Sequence, residues 1–281
     1  MSIRDTAVMA AERAGELLRK NLGRAASLGR VEFKGAVDIV TRMDRRAEAL
    51  IVSTIRKNFP DHGILTEESA ERVTGSRYRW IVDPLDGTTN YAHGFPIFCV
   101  SIAFEEDGEV IFGAVYGPML NELFVAEKGR GASMNGRRIR VSKTFVLDRS
   151  LLATGFPYDV RTSSDNNLGH FANFAVRAQA IRRAGSAALD LSYVACGRFD
   201  GFWEIRLKPW DVAAAALMVK EAGGTVTDFK GLAASISSGD ILATNGAIHA
   251  GMIEVLNIGK GFSSGGGRTR RGKGHSYPSA R

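Results

Sequence analysis

The stretch that most constrains this chain is Trp80-Ile81-Val82-Asp83-Pro84-Leu85-Asp86-Gly87-Thr88-Thr89-Asn90. Its apolar opening reads as a short strand from Arg79 to Val82, and Pro84 and Gly87 then read as a turn. Asp83 and Asp86 stand three apart on that turn, a spacing that lets both carboxylates converge on one side. Oxygen donors with no Cys or His nearby favour a hard cation, magnesium, calcium or manganese, over zinc. Gly87-Thr88-Thr89 is placed to open a short helix whose free amides hold a phosphate beside the metal. In isolation such a D-x-x-D is an Asp-rich turn capped by its own side chains, so the rest of the chain must supply the argument.

Two further segments do. Thr66-Glu67-Glu68-Ser69 follows the apolar Gly63-Ile64-Leu65, and Trp210-Asp211-Val212-Ala213-Ala214-Ala215 opens an alanine-rich helix with a carboxylate in its first turn. Alone, Glu67 is a solvated charge and Asp211 an aid to its own helix. Around them, helical periods place Ile3, Ala7, Ala10, Ala14, Leu17 and Leu18 on one face, and Ile39, Met43, Ala47, Leu50, Ile51, Thr54 and Ile55 mark a second helix, ended by Pro60. Strands are read at 98–104 and 110–115, forming a hairpin, and at 123–126, 151–153, 225–228 and 241–244. Helices are read near 167–177, 186–196, 210–222 and 246–257. Phe95, Phe98, Phe104 and Phe112 read as core. Strands in runs and helices in runs indicate an α/β (α+β) chain of layered sheets rather than a regular βαβ wheel.

Composition narrows the class. Of 281 residues, 44% are hydrophobic and 24% charged, which excludes a mainly disordered, fibrous or membrane-spanning chain. No apolar run reaches the roughly 18 residues of a spanning helix, and the charged N-terminal stretch does not read as a signal peptide, so a cytoplasmic enzyme is expected. Six of the seven formal net positive charges lie between Gly259 and Arg281, a stretch with no acidic residue. Residues 259–281 therefore read as a disordered Gly/Arg-rich basic tail, and 1–258 as one catalytic unit of two subdomains meeting near residue 145. Cys99 and Cys196 read as buried free thiols.

Glu67-Glu68-Ser69, Asp83-Pro84-Leu85-Asp86-Gly87-Thr88-Thr89-Asn90-Tyr91 and Trp210-Asp211 together resemble the inositol monophosphatase family, the lithium-sensitive, magnesium-dependent phosphatases. The likeness runs from Lys34 to Gly224. Ile181-Arg182-Arg183-Ala184-Gly185-Ser186-Ala187-Ala188 and Gly201-Phe202-Trp203-Glu204 resemble its bacterial branch, some members of which are linked to ribosomal RNA transcription. The resemblance implies a layered α-β-α-β-α sandwich of the type shared with fructose-bisphosphatase, and a homodimer. It implies that Glu67, Asp83 and the Leu85 carbonyl hold one magnesium ion and that Asp83, Asp86 and Asp211 hold a second. Glu67, with Lys34 nearby, would touch a third ion. Asp44 and Thr88 match the pair that positions the attacking water. Gly87 and Thr88 match phosphate contacts, while Arg182, Gly185, Ser186, Ala187 and Glu204 match positions around the alcohol, with Asp86 and Asp211 bordering the substrate.

The activity so implied is magnesium-dependent hydrolysis of inositol 1-phosphate by direct in-line attack of water. Phosphate monoesters require about 20 kcal/mol or more of barrier lowering, and a pair of metal ions roughly 3.5–4 Å apart supplies charge neutralisation and an acidified water. Sugar, histidinol and nucleotide phosphates are competing substrates, because the metal core does not sense the alcohol. A haloacid-dehalogenase reading fails on spacing, since its aspartates stand as D-x-D. The tail's arginines offer a different role, salt-dependent contact with RNA or a transcription complex.

Overall fold

The structure, a computed structural model, describes residues 1–23, 31–33, 39–69 and 75–258. The chain stacks in five layers: two helices, a seven-stranded sheet, two helices, a five-stranded sheet and two helices. The outer layer is α1 (Ile3–Asn21), capped by the Ser2 hydroxyl accepting from Asp5 N–H, and α2 (Arg42–Asn58). Between them a two-stranded ribbon joins β1 (Val31–Phe33) to β2 (Ile39–Thr41). Ile39 was expected to open the second helix. It stands instead in β2, where the β-branched run Ile39-Val40-Thr41 suits a strand.

The larger sheet runs β3 (Gly63–Thr66), β4 (Tyr78–Asp86), β5 (Cys99–Glu106), β6 (Glu109–Gly117), β7 (Glu122–Glu127), β8 (Gly131–Met134) and β9 (Arg137–Arg138), with β3 and β4 parallel and the rest antiparallel. A five-residue helix, α3 (Thr88–Ala92), follows β4. The β5–β6 hairpin turns at Asp107-Gly108, both with positive φ, which matches the right-handed strand twist. Sheet periodicity divides the core. Trp80, Val82, Ile102 and Phe104 face α1 and α2, while Ile81, Ala103 and Val115 face the central helices.

Those helices are α5 (Ala187–Ala195) and α6 (Pro209–Glu221), the former preceded by α4 (Leu168–Ala175). A helix between two sheets needs no polar face, and every residue of α5 and all of 212–219 in α6 are buried. Alanines bring α6 close to the sheet: a Cβ at Gly113 would lie 2.7 Å from the Ala214 carbonyl oxygen. The smaller sheet has the order β11 (Ala180–Arg182), β10 (Leu151–Thr154), β12 (Gly201–Glu204), β14 (Ile241–Thr244) and β13 (Thr225–Thr227). Ala153, Phe202 and Ala243 face the central helices; Leu152, Trp203 and Leu242 face α4 and α7 (His249–Leu256).

Two core expectations fail. Phe98, Phe104 and Phe112 are buried, but Phe95 is 50% exposed in the loop after α3. Cys99 is buried while Cys196 is only part-buried; both are free thiols. No helix among the described residues is long and apolar enough to cross a membrane. Residues 259–281, read as a disordered tail, lie outside the described residues.

Candidate active site

The turn expected after Val82 is not a turn. Strand β4 continues to Asp86, and its pairing with β5 shifts register: Asp83 faces Ser101 and Asp86 faces Cys99, so three steps on β4 match two on β5. Pro84 sits within this bulge, where a missing N–H costs the ladder least. The extra residue has a geometric consequence. Strand residues three apart point to opposite faces, and the bulge restores Asp83 and Asp86 to the same one. Both line a cleft of about 450 Å³ together with Glu67, Leu85, Gly87, Thr88, Glu204 and Asp211.

Each carboxylate is set by its own neighbours. Asp83 Oδ1 accepts from Leu85 N–H at 2.9 Å. Asp86 Oδ2 accepts from the Ser186 hydroxyl and from Ala188 N–H, both at 2.7 Å, which ties the bulge to the start of α5. Asp211, in the first turn of α6, accepts from Lys208 N–H at 2.6 Å. Glu67 follows β3, and Glu48 of α2 holds its loop by accepting from Glu68 N–H at 3.0 Å and from the Ser69 hydroxyl. Among the described residues no three His, Cys, Asp or Glu side chains are gathered into a ready metal-ligating set. The four carboxylates share the cleft, and Asp83, Asp86 and Asp211 each turn an oxygen to a donor of the protein.

Gly87, at φ +101°, turns the chain from β4 into α3; a Cβ there would meet the Ile97 carbonyl oxygen at 2.9 Å. Thr88 then stands at the base of the cleft, 8% exposed, with its hydroxyl 2.8 Å from Asp44 Oδ1 and 3.0 Å from the Leu85 carbonyl oxygen. Its single proton is committed to these acceptors, which leaves the oxygen lone pairs for another donor. Asp44, wholly buried in the first turn of α2, comes from a segment 44 residues away.

The charges are costly as they stand. Burial, then the negative charges of Glu67, Asp86 and Asp211, raises Asp83 well above the usual carboxylate range. Burial also raises Asp86, opposed by the hydrogen bonds from Ser186 and Ala188. Burial, then the charge of Asp86, pushes Asp211 up to about 8. Glu204, closing β12 and lining the same cleft, is pushed by burial up to about 8 although Arg183 opposes the shift. Carboxylates drawn together in this way hold protons that a cation would displace.

Gly185, Ser186 and Ala187 also line the cleft. Asn90 of α3 braces it by donating to the Ala184 carbonyl at 2.8 Å and the Ile97 carbonyl at 2.7 Å. Both arginines are exposed; Arg183 lines the cleft, whereas Arg182, singled out from the sequence, stands at the end of the edge strand β11 with its guanidinium donating to the Ile181 carbonyl. Lys34 lies outside the described residues. The sequence reading passed over Glu48, Asp190 and Arg183. Only the Arg-Arg pair gave a signal, and the strand's end decides which of the two faces inward.

Comparison with known proteins gives a consistent result. The profile described as "Inositol monophosphatase family" matches residues 2–259. The chain is 46% identical over 248 residues to "Nus factor SuhB" of Salmonella typhimurium, covering 88% of this chain and 92% of the relative. It is 42% identical over 250 residues to "Inositol-1-monophosphatase" of Mesorhizobium japonicum, covering 89% and 94%. The crystal structure of extragenic suppressor protein suhB from Bartonella henselae superposes with a TM-score of 0.86 at 42% identity, over 92% of this chain and all of that one. With the layered fold and the three acidic segments meeting in one cleft, these matches establish that the chain belongs to the inositol monophosphatase family.

Proposed function

We propose that the protein is a magnesium-dependent phosphomonoesterase acting on a polyol phosphate, with inositol 1-phosphate as the first substrate to test. The observation that carries the reading is the convergence of Glu67, Asp83, Asp86 and Asp211 on one cleft beside the Thr88–Asp44 hydrogen bond. An oxygen-only donor set of like charges fits a hard divalent cation. Glu67, Asp83 and the Leu85 carbonyl would hold one ion and Asp83, Asp86 and Asp211 a second, with Glu67 touching a third. When bound, such ions neutralise the phosphate and lower the pKa of water.

The chain's own groups supply positioning. Gly87 and Thr88 border the phosphate, and the Thr88 oxygen accepts a hydrogen bond from the attacking water because its own proton is given to Asp44. Water's oxygen forms the new bond to phosphorus as the ester oxygen departs opposite it. The water proton passes through Thr88 to Asp44, and the departing alkoxide takes a proton from a solvent water, the hydroxide left behind being neutralised by the proton that Asp44 releases. Ser186 and the Ala188 amide keep Asp86 oriented. Glu204, with Gly185, Ser186 and Ala187 beside it, faces the alcohol, where carboxyl-to-hydroxyl bonds favour a polyhydroxylated group. Phosphate release from inositol 1-phosphate, fructose 1,6-bisphosphate, histidinol phosphate and 3′-phosphoadenosine phosphate, with and without magnesium, tests the reading. Turnover of none of them, or turnover indifferent to magnesium, overturns it.

A second role is favoured by the relatives named Nus factor SuhB at 46% identity. Contact with RNA or a transcription complex through the basic 259–281 segment would coexist with catalysis. Removing residues after Ile258 should abolish RNA retention and spare phosphate release; retention that persists assigns RNA contact to the body. Homodimer formation is a further part of the proposal, checked by sedimentation.

A further inference from the structure

Among the carboxyls that line the cleft, Asp190 belongs neither to the metal-holding set, nor to the Thr88–Asp44 pair, nor to the alcohol contacts read from the sequence. Asp190 is the fourth residue of α5, flanked by Leu189 and Leu191, and all nine residues of that helix are buried. It is 2% exposed, and its Oδ1 has no hydrogen-bond partner among the described residues. It nevertheless lines the cleft, on the same stretch of wall as Arg183, Ser186 and Glu204. An unpartnered polar oxygen inside a protein is rare and destabilising. A helix otherwise built from Ala, Leu, Val, Ser and Tyr would be more stable with an apolar residue there.

We propose that Asp190 is a specificity-determining substrate contact, its carboxyl accepting a hydrogen bond from a ring hydroxyl of the alcohol next to the one held by Glu204. This rests on the phosphomonoesterase reading and deepens it: two carboxyls at the alcohol end select a polyol bearing neighbouring hydroxyls. A site built to accept from a hydroxyl rejects an analogue without it, because the buried acceptor is then left bare. An ammonium-bearing alcohol suits the pocket less well. Arg183 already stands at this wall as a cation, and burial together with the charges of Glu204 and Asp86 raises Asp190 well above the ordinary carboxylate range, toward a neutral acid that pairs with hydroxyls.

The test compares kcat/KM for inositol 1-phosphate, cyclohexyl phosphate and histidinol phosphate in the unmutated enzyme, Asp190→Leu and Asp190→Asn. The unmutated enzyme should prefer inositol 1-phosphate to cyclohexyl phosphate by at least ten-fold. Asp190→Leu should lower that preference about ten- to hundred-fold, chiefly through KM, while raising the melting temperature, and Asp190→Asn, which keeps an acceptor, should restore part of it. A preference moved less than two-fold by Asp190→Leu, equal losses on both esters, or a larger loss on histidinol phosphate overturns the proposal. Should Asp190→Leu fail to fold, the substrate comparison on the unmutated enzyme decides: no preference for the hydroxylated ester overturns it. An unmutated enzyme that hydrolyses neither ester overturns the phosphatase reading and this inference together, whereas an active enzyme with an unmoved preference overturns this inference alone.

Discussion

Protein treated with a chelator should lose stability as the pH rises from 5 to 8. Burial pushes Glu204 from its ordinary 4.5 to about 8, and burial with the Asp86 charge pushes Asp211 from 3.8 to about 8. Between those limits the folded chain keeps protons that the unfolded chain has released. The advantage is present in full at pH values below the ordinary carboxylate pKa and is lost as the pH climbs through 8. Each group contributes a slope of at most about 1.4 kcal/mol per pH unit. For a chain of this size 1 kcal/mol moves Tm by about 2–4 °C. Allowing for water at the cleft mouth, the two groups give a fall of about 3–5 °C per pH unit. His62 and His249 act in the opposite sense, because burial lowers both and stability returns as they lose their protons around neutrality. Comparing Glu204→Gln with the unmutated protein cancels the histidines and the other raised carboxyls, Asp83, Asp86, Asp190 and Asp211, so the variant should show a shallower fall, by up to about 1.4 kcal/mol per pH unit. Magnesium should raise Tm more at pH 8 than at pH 5.5, since the protons it must displace are then fewer. Melting scans in chelator across this range decide the matter. A variant whose Tm falls with pH as steeply as that of the unmutated protein refutes the assignment of a raised Glu204.

Other outcomes rest on the same geometry. Asp86→Asn should abolish magnesium-dependent phosphate release while the melting transition survives, and unchanged turnover would remove Asp86 from the site. Thr88→Val removes the hydroxyl that donates to buried Asp44, so it should cost about 1–3 kcal/mol in denaturant unfolding and about 10²–10⁴ in kcat; Thr88→Ser should retain most of both. Gly113→Ala places a Cβ 2.7 Å from the Ala214 carbonyl oxygen and should destabilise by about 1–3 kcal/mol in the same assay.

Much of the fold was legible because burial imposes a period. The outer helices announce themselves by one apolar face, Ala7, Ala10 and Ala14 in α1 and Met43, Ala47 and Ile51 in α2. The central helix α6 does so by lacking a polar side, as a helix pressed between two sheets must. Of the strands of two to four residues, β10, β13 and β14 were read from their short apolar or β-branched runs, whereas β3, β8, β9, β11 and β12 passed unnoticed, too few residues to display an alternation. In the site, chemistry was legible where a motif concentrated it, as in Glu67, Asp83, Asp86 and Asp211. It was illegible at Asp190, a single acid in an apolar helix, whose unpartnered oxygen and place in the cleft wall exist only in the folded chain.

The reading of Asp83 to Asp86 as a turn reached the right convergence through the wrong backbone, and the spacing itself contained the correction. In a pleated strand, side chains share a face only at even separations. Two aspartates at an odd separation can meet on one face in only two ways: the strand ends between them, or it carries one extra residue. Pro84 fits either, since a proline ends a strand or sits in a bulge. The residue after Asp86 distinguishes them. Gly87 with its positive φ makes the exit from the strand, and a second break three residues earlier would have left Asp86 without the Cys99 pairing that fixes it. A bulge keeps both aspartates on a hydrogen-bonded strand, one against Ser101 and the other against Cys99, and rigid backbone on both sides is what a cluster of mutually repelling carboxylates requires.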